Sequence, residues 1–240
     1  PRRRRRVGLR VATSIEPRRS PSRNRTGFAP STRIVGRALR KARRRSSSAL
    51  ISRAVPRPWT RVDARETPEG LLELRSRGDD FMLLVGGRVL MTSMLHASEV
   101  RLGEVGCEPI RHRKAARVLT AGLGFGFTLR AILDLVGQDA HVCVAELNGI
   151  VIEFGRGAVA HLSKNALDDP RVQVVQGDVM DVLRKGRDGD LDAFVIDLYV
   201  GPGFASDEVA ALYGPRALKA VHEKLRTGGI YAVWGEQLED

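Results

Sequence analysis

Between residues 117 and 136 a strand-like run, Val118-Leu119-Thr120, meets glycines at 122, 124 and 126, and an apolar helical pattern follows at once. A strand that turns straight into a helix constrains a fold strongly. The next strand then runs parallel to the first, and the crossover helix covers a face of the sheet. Leu129, Ile132, Leu133 and Val136 fall on one face at helical spacing. The same unit then recurs. Strands are expected at 117–121, 141–145, 172–176, 192–196 and 230–234. Helices are expected at 128–136, 149–162, 179–185 and 207–225, the last interrupted by Gly214-Pro215. This alternation predicts an α/β fold, a mostly parallel sheet with helices on both faces.

Two different textures precede it. "LLELRSRGDDFMLLVGGRVLMTS" (71–93) reads as three short strands punctuated by Gly78-Asp79 and Gly86-Gly87, a small antiparallel β-meander, and "HASEVRLGEVGCEPI" (96–110) as a helix ending near Gly106. Residues 1–57 form an Arg-, Ser- and Pro-rich arm whose scattered apolar residues cannot offset the entropy of ordering, so it is expected to be disordered. The expected organisation is therefore arm 1–57, small β-meander and helix 58–110, and nucleoside-binding α/β domain 111–240. Residues 1–66 carry 21 Arg or Lys against 3 acids, whereas 67–240 carry 19 against 25. The overall +12 thus belongs to the arm, and the foldable body is mildly acidic. Such a body suits small cationic ligands better than phosphates. The arm reads as a nucleic-acid or anionic-surface contact, a transit peptide, or a dispensable extension. The last fits best, because no aromatic residue interleaves its arginines before Phe28.

Cys107 and Cys143 make neither a disulfide framework nor a CxxC metal site. His112, His141, His161 and His222 lack metal-ligand spacing, so no metal is expected. No apolar run reaches the roughly 18 residues of a membrane span, and the start has no apolar signal core. A cytoplasmic protein without membrane contact is expected. The sheet's fifth strand is followed by only a few residues, which predicts an open edge favouring a homodimer, or a fragment.

In parallel sheets ligands sit beyond the carboxyl ends of the strands. The residues there are Gly122, Gly124 and Gly126 after the first strand, Glu146 after the second, Asp178 after the third and Asp197 after the fourth. The run is G-x-G-x-G, with Phe127 where a dinucleotide fingerprint has its third glycine, so it fits one nucleoside with a short tail. Glu146 is placed to accept hydrogen bonds from both hydroxyls of a ribose.

Together, "AGLGFGFTLRAIL", "VIE" (151–153), "DPRVQVVQGD" (169–178) and "VID" (195–197) resemble the spermidine/spermine synthase family of aminopropyltransferases. "LMTSMLHASE" is similar to a group of short bacterial spermidine synthase-like proteins. The resemblance covers roughly 58–240. It implies the Rossmann-like fold of class I S-adenosylmethionine-dependent methyltransferases and a small N-terminal β-domain. It also implies a nucleoside cosubstrate, decarboxylated S-adenosylmethionine or S-adenosylmethionine, and transfer of an aminopropyl group to a cationic diamine such as putrescine. On this resemblance Glu146 holds the ribose, Asp178 the adenine amino group, and Asp197 accepts a proton from the attacking amine. Tyr199 and His96, with Glu99, join the candidate catalytic set. His96 equally reads as a cap packing the meander on the sheet, Tyr199 as a lid anchor, and Glu236 as reaching the pocket.

The pattern departs from the family at three places. Phe125 stands where an acid grips the aminopropyl amine, Leu198-Tyr199-Val200 replace a second acid after Asp197, and Leu95 and His96 fall where paired acids belong. The nucleoside half is kept and the acceptor half altered. Methyl transfer from S-adenosylmethionine and a non-catalytic nucleoside sensor are the alternatives, although Ala121 replaces the acid a methyltransferase carries before its glycines.

Overall fold

The computed structural model describes the backbone of residues 10–13 and the whole of residues 57–198 and 212–234. The first strand is β1 (Arg10–Thr13), followed by β2 (Thr60–Thr67), β3 (Gly70–Arg77), β4 (Asp80–Val85) and β5 (Arg88–Thr92). Next come α1 (Ala97–Cys107), β6 (Arg117–Ala121), α2 (Phe127–Leu135), β7 (His141–Glu146) and α3 (Gly149–Arg156). The described chain closes with β8 (Val172–Gln176), α4 (Val179–Lys185), β9 (Leu191–Ile196), α5 (Pro215–Lys224) and β10 (Leu225–Val233).

Strands β10, β9, β6, β7 and β8 lie parallel in that order. Their side chains alternate with the period of two that a strand imposes. Val118, Val142, Val144, Val195 and Ala232 enter one core, with α1, α2 and α3 packed on it. Leu119, Ala145, Phe194, Ile196 and Tyr231 enter the other, covered by α4 and α5. Burial on both faces is why these strands read as unbroken apolar runs. The expected α/β class is what folds.

Four differences from the expected elements have physical causes. The meander has four strands, because β2 pairs antiparallel with β3 across its whole length. The helix expected over 149–162 stops at Arg156, where Gly157 breaks it and short 3-10 turns follow. Strand β10 begins five residues early, with an irregular register between Leu225 and Ile230. Most consequentially, the open edge expected beside β10 is paired. Arg10–Thr13, inside the arm expected to lack structure, runs antiparallel to Ile230–Val233. The edge strand on that side is therefore β1 and not β10. Part of the helix expected over 207–225 lies outside the described residues.

The chain leaves β6 toward β7 on one side, and β9 takes the other, so the strand order reverses between β6 and β9. A crevice opens at such a point, outside the carboxyl ends of the strands. Helix α1 closes one side of it. Its glycines let it lie close: a Cβ on Gly103 would sit 2.8 Å from both Ala131 Cβ and the Thr128 carbonyl oxygen, and one on Gly106 2.7 Å from Val195 Cγ2. Gly103→Val is therefore expected to destabilise the fold by about 2 kcal/mol, despite the better helix propensity of a side chain. Urea unfolding measures this; equal midpoints would mean that α1 does not pack as described.

Candidate active site

The three glycines all have left-handed backbone, with φ of +84°, +51° and +81° for Gly122, Gly124 and Gly126. What approaches them is the protein itself. A Cβ on Gly122 would overlap the Asp197 carbonyl oxygen, and one on Gly124 would lie 2.7 Å from Met91 Sδ. Gly126 caps α2 against Ser163. The triplet is thus a turn fitted between β9, β5 and the 3-10 turn, and only Gly122 and Gly124 border the cavity described below.

Glu146 ends β7 and fixes this turn. The Leu123 and Asn148 backbone N–H groups donate to Glu146 Oε2 and Oε1, each at 2.8 Å. Burial raises its pKa, while those backbone donors pull the other way. Each carboxylate oxygen keeps a further lone pair for a ligand hydroxyl. Asp178 caps α4, accepting from the Met180 N–H at 2.6 Å. Asp197 follows β9, where its own N–H donates to the Ala121 carbonyl at 2.9 Å. The Thr128 hydroxyl donates to Asp197 Oδ2 at 2.5 Å. Burial pushes the Asp197 carboxyl up to about 7, the nearby Glu99 adds to the rise, and the Thr128 bond opposes it.

These residues border a single cavity of about 1190 Å³ between the strand tips and the small sheet. Glu146, Asp178 and Asp197 come from the strand tips, and Glu99 from α1. The turn between β2 and β3 supplies Glu66 and Glu69, and α3 supplies Glu153. No Lys, Arg or His is among the described residues that line it. Glu153 pairs with Arg65 at 2.7 Å. The turn bearing Glu66 and Glu69 is seated firmly, since the Thr67 hydroxyl donates to the Gly70 carbonyl at 2.7 Å and the Gly86 N–H to the Leu71 carbonyl at 2.9 Å. A partly enclosed pocket of one charge sign concentrates the opposite charge within it.

The structure therefore brings Glu146, Asp178, Asp197, Gly122 and Gly124 to one wall. His96 is not on it. Its ring stacks on Phe127 with centroids 4.1 Å apart and its Nδ1 lies 2.7 Å from the Ser93 carbonyl oxygen. The ring thus packs against α2 as in the packing alternative, while its side chain makes no helix-capping hydrogen bond. Tyr199 and Glu236 lie outside the described residues. Phe125 is a fully buried core residue edge-on to Phe127, so it faces no ligand. Leu95 is exposed at the rim. Arg130 is mostly covered and pairs with Asp134 at 2.7 Å. Trp234 borders the cavity with an unpartnered indole N–H. The acids that sequence reasoning missed, Glu66 and Glu69, sit in "ETPEG", which reads as a polar turn. Only the acidic balance of residues 67–240 hinted at more carboxylates in use. No cluster of metal-ligating side chains occurs among the described residues, and none of their helices is long and apolar enough to cross a membrane.

Known proteins resemble this chain in sequence and in fold. A family model described as "Spermine/spermidine synthase domain" matches residues 103–239. The polyamine aminopropyltransferase 1 of Hyperthermus butylicus is 34% identical over 123 residues, 50% of this chain and 40% of that protein. The putrescine N-methyltransferase 4 of Nicotiana tabacum is 30% identical over 122 residues, 51% of this chain and 30% of that one. The chain thus spans less than half the length of these relatives. Among solved structures, the spermidine synthase of Thermotoga maritima superposes with a TM-score of 0.57 at 21% identity, over 72% of this chain and 56% of that chain. A spermidine synthase in complex with the transition-state analogue AdoDATO gives 0.58 at 20% identity, over 72% and 55%. At such identities the two structures establish the fold.

Proposed function

The chain belongs to the spermine/spermidine synthase family, and on that footing we propose that it binds decarboxylated S-adenosylmethionine and transfers its aminopropyl group to a diamine such as putrescine. The observation that carries the proposal is the cavity wall, with seven carboxylates and no basic side chain among the described lining residues. Both substrates are cations, a sulfonium with a terminal ammonium and a diamine, and the lining chemistry fits them. Intact S-adenosylmethionine adds a carboxylate, for which the described lining residues offer no cation.

In this reading Glu146 binds the ribose hydroxyls through the lone pairs its backbone donors leave free. Asp178 accepts from the adenine amino group. The sulfonium supplies the chemistry by activating the adjacent carbon for displacement. The attacking amine nitrogen forms the new C–N bond, the C–S bond breaks with its electron pair going to sulfur, and neutral methylthioadenosine leaves. Asp197 accepts the proton that the nitrogen sheds. A carboxyl titrating near 7 is matched to that duty at neutral pH. With Phe125 in the core, Glu99, Glu66 and Glu69 hold the ammonium groups instead of an acid in the glycine turn.

Methyl transfer to the same amine is the second reading, supported by the putrescine N-methyltransferase relative. Asp197 would serve it identically. One assay separates the two: purified protein is incubated with putrescine and either donor, and products are identified by mass spectrometry. Spermidine and methylthioadenosine are expected. N-Methylputrescine establishes the second reading instead, and no product with either donor rejects both in favour of a nucleoside-binding protein. Charge removal at the β2–β3 turn, Glu66→Gln with Glu69→Gln, is expected to raise the KM for putrescine about tenfold and to weaken the donor through its ammonium as well, while leaving the affinity for methylthioadenosine, which has no ammonium, unchanged. An unaltered amine KM would remove those two residues from the acceptor site.

A further inference from the structure

We propose that Thr128 is a positioning residue for Asp197: its hydroxyl holds Oδ2 on the protein side, leaving Oδ1 to take the proton of the attacking amine. The inference rests on the transfer reading above but concerns a residue that no strand-tip argument reaches. Thr128 lies on α2, two residues past the glycine turn, and is fully buried. Its Oγ1 stands 2.5 Å from Asp197 Oδ2 and 3.1 Å from the backbone carbonyl oxygen of Glu99 on α1. One hydroxyl proton therefore has two acceptors in reach, on two other elements, β9's tip and α1.

A β-branched side chain in a helix has few χ1 rotamers, which limits the directions the hydroxyl can take. Its position is further set by Gly103, whose missing side chain lets α1 come against the Thr128 carbonyl. Among the described residues no other side chain donates to the Asp197 carboxylate, and the residue borders the cavity while Thr128 does not. The carboxylate is thereby given a protein-facing oxygen and a ligand-facing one.

The charged and titratable groups facing Asp197 do not replace this donor. Glu99 from α1 is another carboxylate, and Tyr213 just before α5 is a buried hydroxyl without a partner whose pKa rises through burial and then through Asp197. Tyr231 on β10 faces Tyr213 in turn. Glu146 and Asp178 lie on the same cavity wall. Burial and Glu99 favour the neutral acid, and Thr128 alone among these contacts favours the anion that accepts a proton.

The test compares wild type with Thr128→Val, which keeps the shape and removes the hydroxyl, and Thr128→Ser, which keeps the hydroxyl. The titration of Asp197 is followed by carboxyl carbon NMR, its signal identified with Asp197→Asn. Loss of the donor is expected to move the midpoint upward by about one pH unit, and serine to restore it. In turnover the acid limb of kcat/KM should follow, giving a loss of about fivefold at pH 7 in the valine variant. A midpoint unchanged in valine, or serine behaving as valine, overturns the proposal. Should valine not fold, Thr128→Ala makes the same comparison. The NMR arm needs no turnover, so a failed aminopropyl assay rejects the transfer reading and leaves the Thr128 test intact.

Discussion

Asp197→Asn is expected to abolish most turnover and, at the same time, to stabilise the protein above neutral pH. A positioned general base contributes on the order of a thousandfold, and asparagine cannot accept the amine proton, so kcat should fall by roughly that factor. The stability effect follows from the raised pKa. The folded carboxyl titrates at about 7 against an ordinary 3.8. Between those values the folded state binds more protons than the unfolded one, and stability therefore declines as pH rises through that window. Asparagine has no charge to strip of water and still accepts the Thr128 hydroxyl through its amide oxygen. We expect a gain of about 4 kcal/mol at pH 8 and well under about 1 kcal/mol at pH 4, read from urea unfolding at the two pH values. Near-normal kcat would end the role assigned to Asp197. A stability change equal at both pH values would contradict its buried, raised-pKa state.

Glu146→Ala is the second large effect. The carboxylate takes part in two roles, holding the Leu123 and Asn148 N–H groups and presenting its outer lone pairs to the sugar. Hydrogen bonds to a charged group are worth about 1.5–3 kcal/mol each, and truncation also frees the glycine turn. Affinity for methylthioadenosine should fall at least about a hundredfold by calorimetric titration. Glu146→Gln, which fills the same space, should lose about tenfold. Unchanged binding in both variants would mean that the nucleoside lies elsewhere.

The parallel core and its strand-tip acids were legible because both depend on local pattern. Short apolar runs and the glycine turn located β6 to β10 to within about five residues, and a residue just beyond such a strand is committed to the ligand side. Glu146, Asp178 and Asp197 follow from that alone. What was not legible depends on contacts far apart in sequence. Nothing in "RVAT" at 10–13, set among arginines, announces that its backbone completes the edge of β10, more than 200 residues later. Glu66 and Glu69 reach the cavity only because the small sheet folds over the strand tips. The glycine triplet looked like room for a ligand. Its neighbours proved to be Asp197, Met91 and Ser163, since a turn of left-handed residues serves packing as readily as binding. His96 had the right chemistry for a base, but Phe127 lay within stacking reach. Thr128 sits inside "AGLGFGFTLRAIL", but nothing local shows that its hydroxyl meets Asp197, 69 residues later.

The central claim is that the acid-lined cavity takes an adenosyl cation without a carboxylate. Calorimetric titration of the full chain with decarboxylated S-adenosylmethionine, S-adenosylmethionine and methylthioadenosine, in one buffer at pH 7.5, tests it most directly. The decarboxylated compound is expected to bind at least about tenfold more tightly than the intact one, a difference of about 1.4 kcal/mol, with methylthioadenosine also binding. Equal or tighter binding of intact S-adenosylmethionine, or no binding of any of the three, would contradict the account.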